Sequence, residues 1–360
     1  MDDRTAWLRE NLLSWYRAEK RDLPWRRTHD PYAILVAEFL LQRTRIKTGL
    51  PYYARFLSRF PTVAALATAS EADVLCAWEG LGFYGRARKL HEAAKVIVAR
   101  HGGAVPADCE ALRALPGVGP YTAGAVGSIA FGLRAAALDG NARRVLTRLL
   151  WSQVKPGAEG DLESLAYDLV PVEAPGEWNQ AVMELGATVC LPRHPRCEAC
   201  PVSAECDALA EGVQERVPPR ATPAKVPVAS VMFGLVEDRG RILLARRPPR
   251  GLLAGLWGLP GGEVETRSAF RALVRDETGL DVAPGETVAR VDHVFSHRRW
   301  SGSVIRARVR DGRVRGARWF RREDLGGIAL VPFHRRVLAR LSSVGIPPLE
   351  PYRRATRKAR

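Results

Sequence analysis

No stretch of about 18 consecutive apolar residues occurs in the chain, which excludes an ordinary membrane-spanning helix. The opening Met1-Asp2-Asp3-Arg4 lacks the basic-then-apolar pattern of a secretory leader, and internal repeats are absent. A protein acting inside the cell is the expectation: cytoplasmic, on the nucleoid if bacterial, and with no membrane partner. Lysine is scarce, seven residues against 48 arginines, and none lies between Lys95 and Lys155. Acidic residues are also few, 39 against 55 basic ones, for a net charge of +16. The deficit is local: residues 1–225 hold 28 basic and 26 acidic side chains, residues 226–360 hold 27 and 13. An arginine-rich composition alone does not place an excess so unevenly. A polyanion partner is implied, nucleic acid before anionic membrane. With 46% hydrophobic residues over 360 positions, the chain is not disordered and has room for two cores.

From Trp7 to about Leu209 apolar residues recur at spacings of three and four, the periodicity of helices. Asp30-Pro31 is a helix start, since aspartate caps free amides and proline suits the first turn; a helix is expected from Pro31 through Thr44. Pro218, Pro219, Pro223 and Pro227 end this texture. Beyond them Val228 to Val236 and Arg241 to Arg246 read as strands around a Glu237-Asp238-Arg239-Gly240 hairpin. Helical spacing returns at Ala269 to Thr278, further strands at Thr287 to Val294 and Val304 to Val309, and a last helix at Pro332 to Leu341. The pattern divides the chain into a mainly α region at 1–212, a linker at 213–227, a small α+β domain at 228–345 and a basic tail at 346–360.

Four of the six cysteines fall in one short segment, Cys190, Cys197, Cys200 and Cys206, spaced C-x6-C-x2-C-x5-C. Thiols this close in a reducing compartment point to a metal rather than disulfides. Four thiolates suit tetrahedral zinc or an iron-sulfur cluster. Because Cys197 and Cys200 are the lone C-x-x-C pair, the spacing leans to iron-sulfur. Cys76 and Cys109 lie in apolar helical surroundings and read as packing residues.

Leu115-Pro116-Gly117-Val118-Gly119 stands between two helical segments, the second beginning near Thr122. Glycines there turn the backbone tightly and let its amides approach a ligand such as a phosphate oxygen, although ordinary helix hairpins use them too. Leu138-Asp139-Gly140-Asn141 then opens the next helix, where Asp139 could be no more than a cap. Glu38 interrupts the apolar run Ala33 to Leu41. It is either a buried carboxyl with a raised pKa or a residue on an exposed face, and periodicity does not choose between them.

The hairpin, Asp139 and the cysteine loop, in that order and spacing, resemble the helix-hairpin-helix DNA glycosylases that include endonuclease III and the adenine DNA glycosylases, over roughly residues 6–210. The resemblance implies that Gly117 and Gly119 hold a DNA phosphate, that Asp139 is catalytic, and that the four cysteines ligate one 4Fe-4S cluster. Glycosylase-lyases of the family carry a nucleophilic lysine two residues after the last hairpin glycine; Tyr121 stands there instead, so simple hydrolysis is expected. Ala37-Glu38-Phe39-Leu40-Leu41-Gln42 resembles the adenine-glycosylase segment whose glutamate protonates adenine. Glu38 is therefore the expected general acid, and Asp139 the group that stabilises the oxocarbenium-like sugar. Tyr121 and Asn141 match positions that assist at the sugar. Gly80-Leu81-Gly82-Phe83-Tyr84-Gly85-Arg86 resembles the wedge loop, with Phe83 where a tyrosine is usual. Gln42-Arg43-Thr44 departs from the usual Gln-Gln-Thr, so Arg43 replaces an intercalating glutamine.

Leu256 to Glu265 resembles the opening of a Nudix box, but Ala272-Leu273-Val274-Arg275-Asp276-Glu277 lacks most of the carboxylates that a magnesium-dependent hydrolase needs. A Nudix-like recognition domain is expected, in which Phe295-Ser296-His297 matches the loop that meets 8-oxoguanine. The fold class expected is thus a mainly α helix-hairpin-helix glycosylase region with an iron-sulfur loop, followed by an α+β Nudix-like domain. The activity implied is a monofunctional base-excision glycosylase for adenine opposite 8-oxoguanine or guanine, acting as a monomer on double-stranded DNA. Two alternatives remain: a mismatch glycosylase of other preference, such as thymine opposite guanine, and a non-catalytic iron-sulfur redox sensor on DNA.

Overall fold

The computed structural model describes residues 3–157, 161–219 and 225–341. The basic tail expected at 346–360 and part of the expected linker lie outside the described residues. Packing divides the chain into two compact units. The first takes the described residues of Met1–Tyr53, Phe60–Thr68 and Lys89–Thr222; the second takes Ala54–Arg59, Ala69–Arg88 and those of Pro223–Arg360.

The first unit is helical. Asp30 caps the Pro31–Leu41 helix, its side chain accepting the Tyr32 amide at 3.0 Å with proline in the first turn. Every residue from Tyr32 to Leu40 is buried, so this helix is a core element on all sides. It stops at Leu41, short of the expected Thr44, because the Gln42 backbone extends (ψ 113°) and Arg43 turns left-handed (φ 57°). The helices Asp3–Glu19, Gly140–Leu149 and Pro175–Thr188 enclose one core. In it Leu8, Leu12 and Tyr16 meet Val145, Leu149, Trp178 and Leu185, with Cys190, Cys200 and Cys206 packed at its margin. The glycine hairpin leads into the Pro120–Phe131 helix, and the cysteine segment folds as short 3-10 turns, Cys197–Ala199 and Ser203–Glu205.

The second unit carries a mixed sheet of β1 (Val228–Asp238), β2 (Arg241–Arg246), β3 (Trp257–Gly258), β4 (Gly261–Glu263), β5 (Leu280–Val294), β6 (Arg299–Gly312) and β7 (Ala317–Arg321). Its order is β3-β2-β1-β6-β5, with β4 also on β1 and β7 on β2. The β1–β6 pair is parallel, the other pairs of strands antiparallel. Arg239 (φ 47°) and Gly240 (φ 73°) make the expected hairpin between β1 and β2, both left-handed as a two-residue turn of that twist requires. The Arg267–Thr278 helix starts on the Thr266 hydroxyl, which accepts the Ala269 amide at 3.2 Å. It buries Phe270 and Val274 against Val236, Leu243, Val282 and Ile305. Periodicity located β1, β2 and the two helices to within a few residues and β5 and β6 as shorter runs; the strands β3, β4 and β7 were not announced by it.

Candidate active site

Glu38 is 7% exposed, so the alternative of a solvent-facing residue is wrong. Burial pushes its carboxyl up to about 7, the negative charge of Asp139 adds to that rise, and the Tyr121 hydroxyl, donating to Oε2 at 2.6 Å, opposes it. The phenol is itself held protonated, raised well above its ordinary value by burial and by Glu38. The Met183 sulfur stands 3.8 Å from the same hydroxyl. A carboxyl with a pKa near neutrality, donated to by a phenol, can deliver a proton at physiological pH.

Asp139 caps the Gly140–Leu149 helix, Oδ1 accepting the Ala142 amide at 2.6 Å, as the simpler sequence interpretation had it. The cap does not use up the carboxylate: Oδ2 takes a long hydrogen bond of 3.3 Å from the Asn141 amide. Burial raises the Asp139 pKa, while the Ala142 and Asn141 donors and the Arg144 charge pull it back toward the ionised form. Asn141 is oriented in turn by Arg144, whose Nη2 donates to its Oδ1 at 3.0 Å and to the Gly186 carbonyl at 2.7 Å, and whose Nε donates to the Cys190 carbonyl at 2.9 Å. A Cβ at Gly186 would sit 2.8 Å from the Asn141 Cβ, so glycine is what lets the Pro175–Thr188 helix approach this turn. Glu38, Tyr121, Asp139 and Asn141 therefore form one cluster drawn from three helices. Gln42 borders it through Nε2, which donates to the Thr122 hydroxyl at 3.3 Å. Arg43 is exposed at the end of the Glu38 helix in its left-handed conformation.

In the hairpin Gly117 is left-handed (φ 80°), and a Cβ there would lie 2.6 Å from the Lys89 Cβ and 3.0 Å from the Phe39 ring. No other residue fits that turn. Gly119 is extended and leads into the Pro120–Phe131 helix, and a Cβ on it would meet open space. Its surroundings leave room for an anion at a helix N-terminus.

Cys190, Cys197, Cys200 and Cys206 line one small cavity. Burial first, and the neighbouring cysteines with it, push the thiols of Cys197, Cys200 and Cys206 up, Cys200 to about 12; a bound metal would displace their protons. Arg148 is 2% exposed and donates Nη1 to the Cys190 sulfur at 3.2 Å and to the Leu191 carbonyl at 2.7 Å, and Nε to the Val217 carbonyl at 2.8 Å. No group of three or more His, Cys, Asp or Glu among the described residues is arranged to hold a metal ion.

A second site lies wholly in the second unit. A cavity of about 790 Å³ is bounded by the Gly80–Gly85 loop, by 251–254, by 293–298 and by the start of the Pro332–Arg340 helix. Phe83, left-handed (φ 47°) and 45% exposed, and Phe295-Ser296-His297 all line it. Phe83 thus combines a backbone conformation rare for a bulky residue with partial exposure. Arg86 lies over the Phe83 and Trp78 rings, 5.6 and 5.3 Å from their centroids. Phe295 packs edge-on to buried Trp300 (5.0 Å), while a turn closed by the Phe295 amide on the Arg298 carbonyl leaves Ser296 and His297 exposed. Buried structural roles for those two residues are excluded. Two of the remaining carboxylates of the Nudix-like stretch are engaged: Glu277 accepts the Gly261 amide at 2.7 Å, and Glu263 accepts the Trp300 indole at 2.7 Å and Arg298.

Arg144, Arg148, Met183 and Gly186 escaped the sequence reading. One half-buried and one buried arginine among 48 carry no local signal, and the other two matter through contacts distant in sequence.

The family profile described as "HhH-GPD superfamily base excision DNA repair protein" matches residues 36–166, and that of the NUDIX domain matches residues 231–340. An adenine DNA glycosylase of Rattus norvegicus is 36% identical over 389 residues, covering 89% of this chain and 75% of its own length. One from Mycobacterium tuberculosis is 46% identical over 196 residues, 53% of this chain and 64% of its own. Among solved structures, a thermostable thymine-DNA glycosylase aligns with TM-score 0.54 at 32% identity over 58% of this chain and 97% of its own. An endonuclease III–DNA complex aligns at 0.50 and 21% identity, a likeness of fold, over 59% of this chain and 100% of its own. Profiles over both regions and similarity along most of the sequence establish that this chain is a DNA glycosylase belonging to the adenine DNA glycosylase family.

Proposed function

We propose that this glycosylase hydrolyses the N-glycosidic bond of adenine mispaired with 8-oxoguanine, and less readily with guanine, as a monomer inside the cell. The observation that carries the chemistry is the Glu38–Tyr121–Asp139 cluster, in which burial raises both carboxyls, Glu38 to about 7, while the Ala142 and Asn141 donors and Arg144 oppose the rise at Asp139. Extrusion of the adenosine from the duplex brings its base edge to Glu38. Glu38, protonated near pH 7, donates to N7, and Tyr121 supports the carboxylate that remains. The bond from base to C1′ then breaks with its electrons leaving on adenine, and Asp139 stabilises the positive sugar until water adds at C1′. Asn141, oriented by Arg144, fixes the Asp139 carboxylate. With Tyr121 in place of a lysine, no amine attacks the sugar and the strand is left uncut.

Gly117 and Gly119 seat a phosphate of the bent strand, Gln42 and Arg43 contact the opposite strand, Phe83 wedges beside the lesion, and Phe295-Ser296-His297 meets the 8-oxoguanine edge. The four cysteines hold one 4Fe-4S cluster. Four thiols lining one cavity, with a single C-x-x-C pair among them, fit such a cluster. The buried Arg148 cation offsets its negative charge. When bound, the cluster supplies metal–thiolate bonds that brace the 190–206 segment against the first unit's core.

The test is base release from duplexes holding adenine opposite 8-oxoguanine, adenine opposite guanine, and thymine opposite guanine. Adenine release that Glu38→Gln abolishes is expected. The likeness to a thymine-DNA glycosylase keeps a second reading in play, which thymine release with adenine left in place would establish. Equal release by both proteins would remove Glu38 from the mechanism.

A further inference from the structure

Glu79 directly precedes the Gly80–Gly85 loop and is 3% exposed. Its carboxylate takes Nε and Nη2 of Arg335, the latter at 2.8 Å, and the Leu330 amide at 2.9 Å. Arg335 spends its other donors on the Leu325 and Ile328 carbonyls, at 2.9 and 3.0 Å. At the far end of the loop, Arg88 donates Nε to Glu71 at 3.1 Å and Nη2 to the Ala254 carbonyl. The loop that carries Phe83 is thus tied at both ends to elements that line the same cavity: Ala254 on one side, and on the other the Pro332–Arg340 helix, whose Pro332, Phe333 and Arg336 face it. Phe295-Ser296-His297 forms a further wall, with Phe295 and Phe333 both packed on Trp300 at 5.0 and 5.7 Å.

An apolar pair would fill the space around Glu79 at no loss of stability, since a buried ion pair repays its desolvation poorly. What the bidentate guanidinium and the amide add is direction, because a planar fork on a carboxylate fixes both partners in distance and angle. We propose that Glu79 and Arg335 are a positioning clamp that fixes the Phe83 loop against the Phe295-Ser296-His297 loop and thereby sets the discrimination between 8-oxoguanine and guanine opposite the excised base. This rests on the recognition role assigned to that loop in the proposed function. Neither residue touches the nucleic acid in this scheme; both act through the width of the cavity.

Single-turnover release of adenine opposite 8-oxoguanine and opposite guanine, by the full chain, gives the ratio that tests the clamp. Glu79→Gln and Arg335→Met each lower that ratio about tenfold, while release opposite guanine changes by less than about threefold, as expected of a displacement remote from the reacting atoms. The double variant is no worse than either single one, since both act through one pair. If the single variants do not melt cooperatively, Arg335→Lys, which keeps the charge and loses the fork, answers the same question. Val236→Ala, in the sheet core of the same unit, controls for plain destabilisation, and it leaves the ratio intact. An unchanged ratio in the clamp variants, or an equal fall in the Val236 variant, overturns the proposal. Replacing Phe295, Ser296 and His297 by alanine separates the two levels. If that triple variant keeps the ratio, the recognition role fails and the clamp with it; if it lowers the ratio and the clamp variants do not, the clamp alone fails.

Discussion

Glu38→Gln should stabilise the helical unit, and by an amount that depends on pH. Burial raises the carboxyl from its ordinary 4.5 to about 7, so the fold prefers the neutral acid. The stability this group contributes is fully present below the unfolded value and is lost as pH rises through the folded one, because between the two values folding must take a proton from solution and above the folded value a charge stays buried. At about 1.4 kcal/mol per unit, the shift amounts to about 3 kcal/mol, of which roughly 2 to 3 is lost between pH 5 and pH 8. Glutamine keeps the shape and can still accept from Tyr121, yet carries no charge at any pH. Hydrogen exchange of amides in the Pro31–Leu41 helix reads this unit by itself. The expected result is protection that grows in the variant relative to the wild type as pH rises, by about that amount. A difference between the two proteins that does not vary with pH would refute the raised pKa, and with it the reason for choosing Glu38 as the acid.

Other perturbations give equally definite outcomes. Asp139→Asn keeps a good helix cap, so the melting temperature holds, whereas adenine release falls at least about a hundredfold with the lost charge. Gly117→Ala places a Cβ 2.6 Å from that of Lys89 at a φ of 80°; it destabilises by about 1–3 kcal/mol and weakens duplex binding, read by thermal melting and titration. Cys200→Ser removes the iron and the colour of the purified protein; a colourless wild type holding zinc would reverse the cofactor assignment. Arg239, Arg241, Arg321 and Arg322 line one open cavity, and Arg239→Gln with Arg321→Gln reduces the salt slope of DNA binding by up to about 2 if both meet phosphates.

Much of this was legible in the sequence because the deciding interactions are local. Asp30-Pro31, the glycines of the hairpin, the run of four prolines and the C-x-x-C pair each state a backbone requirement within a few residues. Glu38 was ambiguous by the same token: a helix buried on every side has no face for periodicity to mark, and the structure was needed to close solvent off. What could not be read depends on contacts far apart in the chain. The placement of 54–59 and 69–88 with the C-terminal region leaves no trace in composition, because ordinary amphipathic helices serve either core. Glu79 meets Arg335 across a separation of 256 residues, and Arg144 and Arg148 are half-buried and buried members of a mostly exposed class. Helix ends were misplaced where one residue, Arg43, adopts a conformation its type rarely takes.

The pH profile of single-turnover adenine release opposite 8-oxoguanine tests the central claim most directly. With Glu38 as the acid, the rate constant falls by about tenfold per unit above pH 7. In Glu38→Gln it is lower by about 10² to 10⁴ and has lost that limb. A limb that persists unchanged in the variant, or a wild-type rate that does not fall as pH rises from 6 to 9, contradicts the assignment.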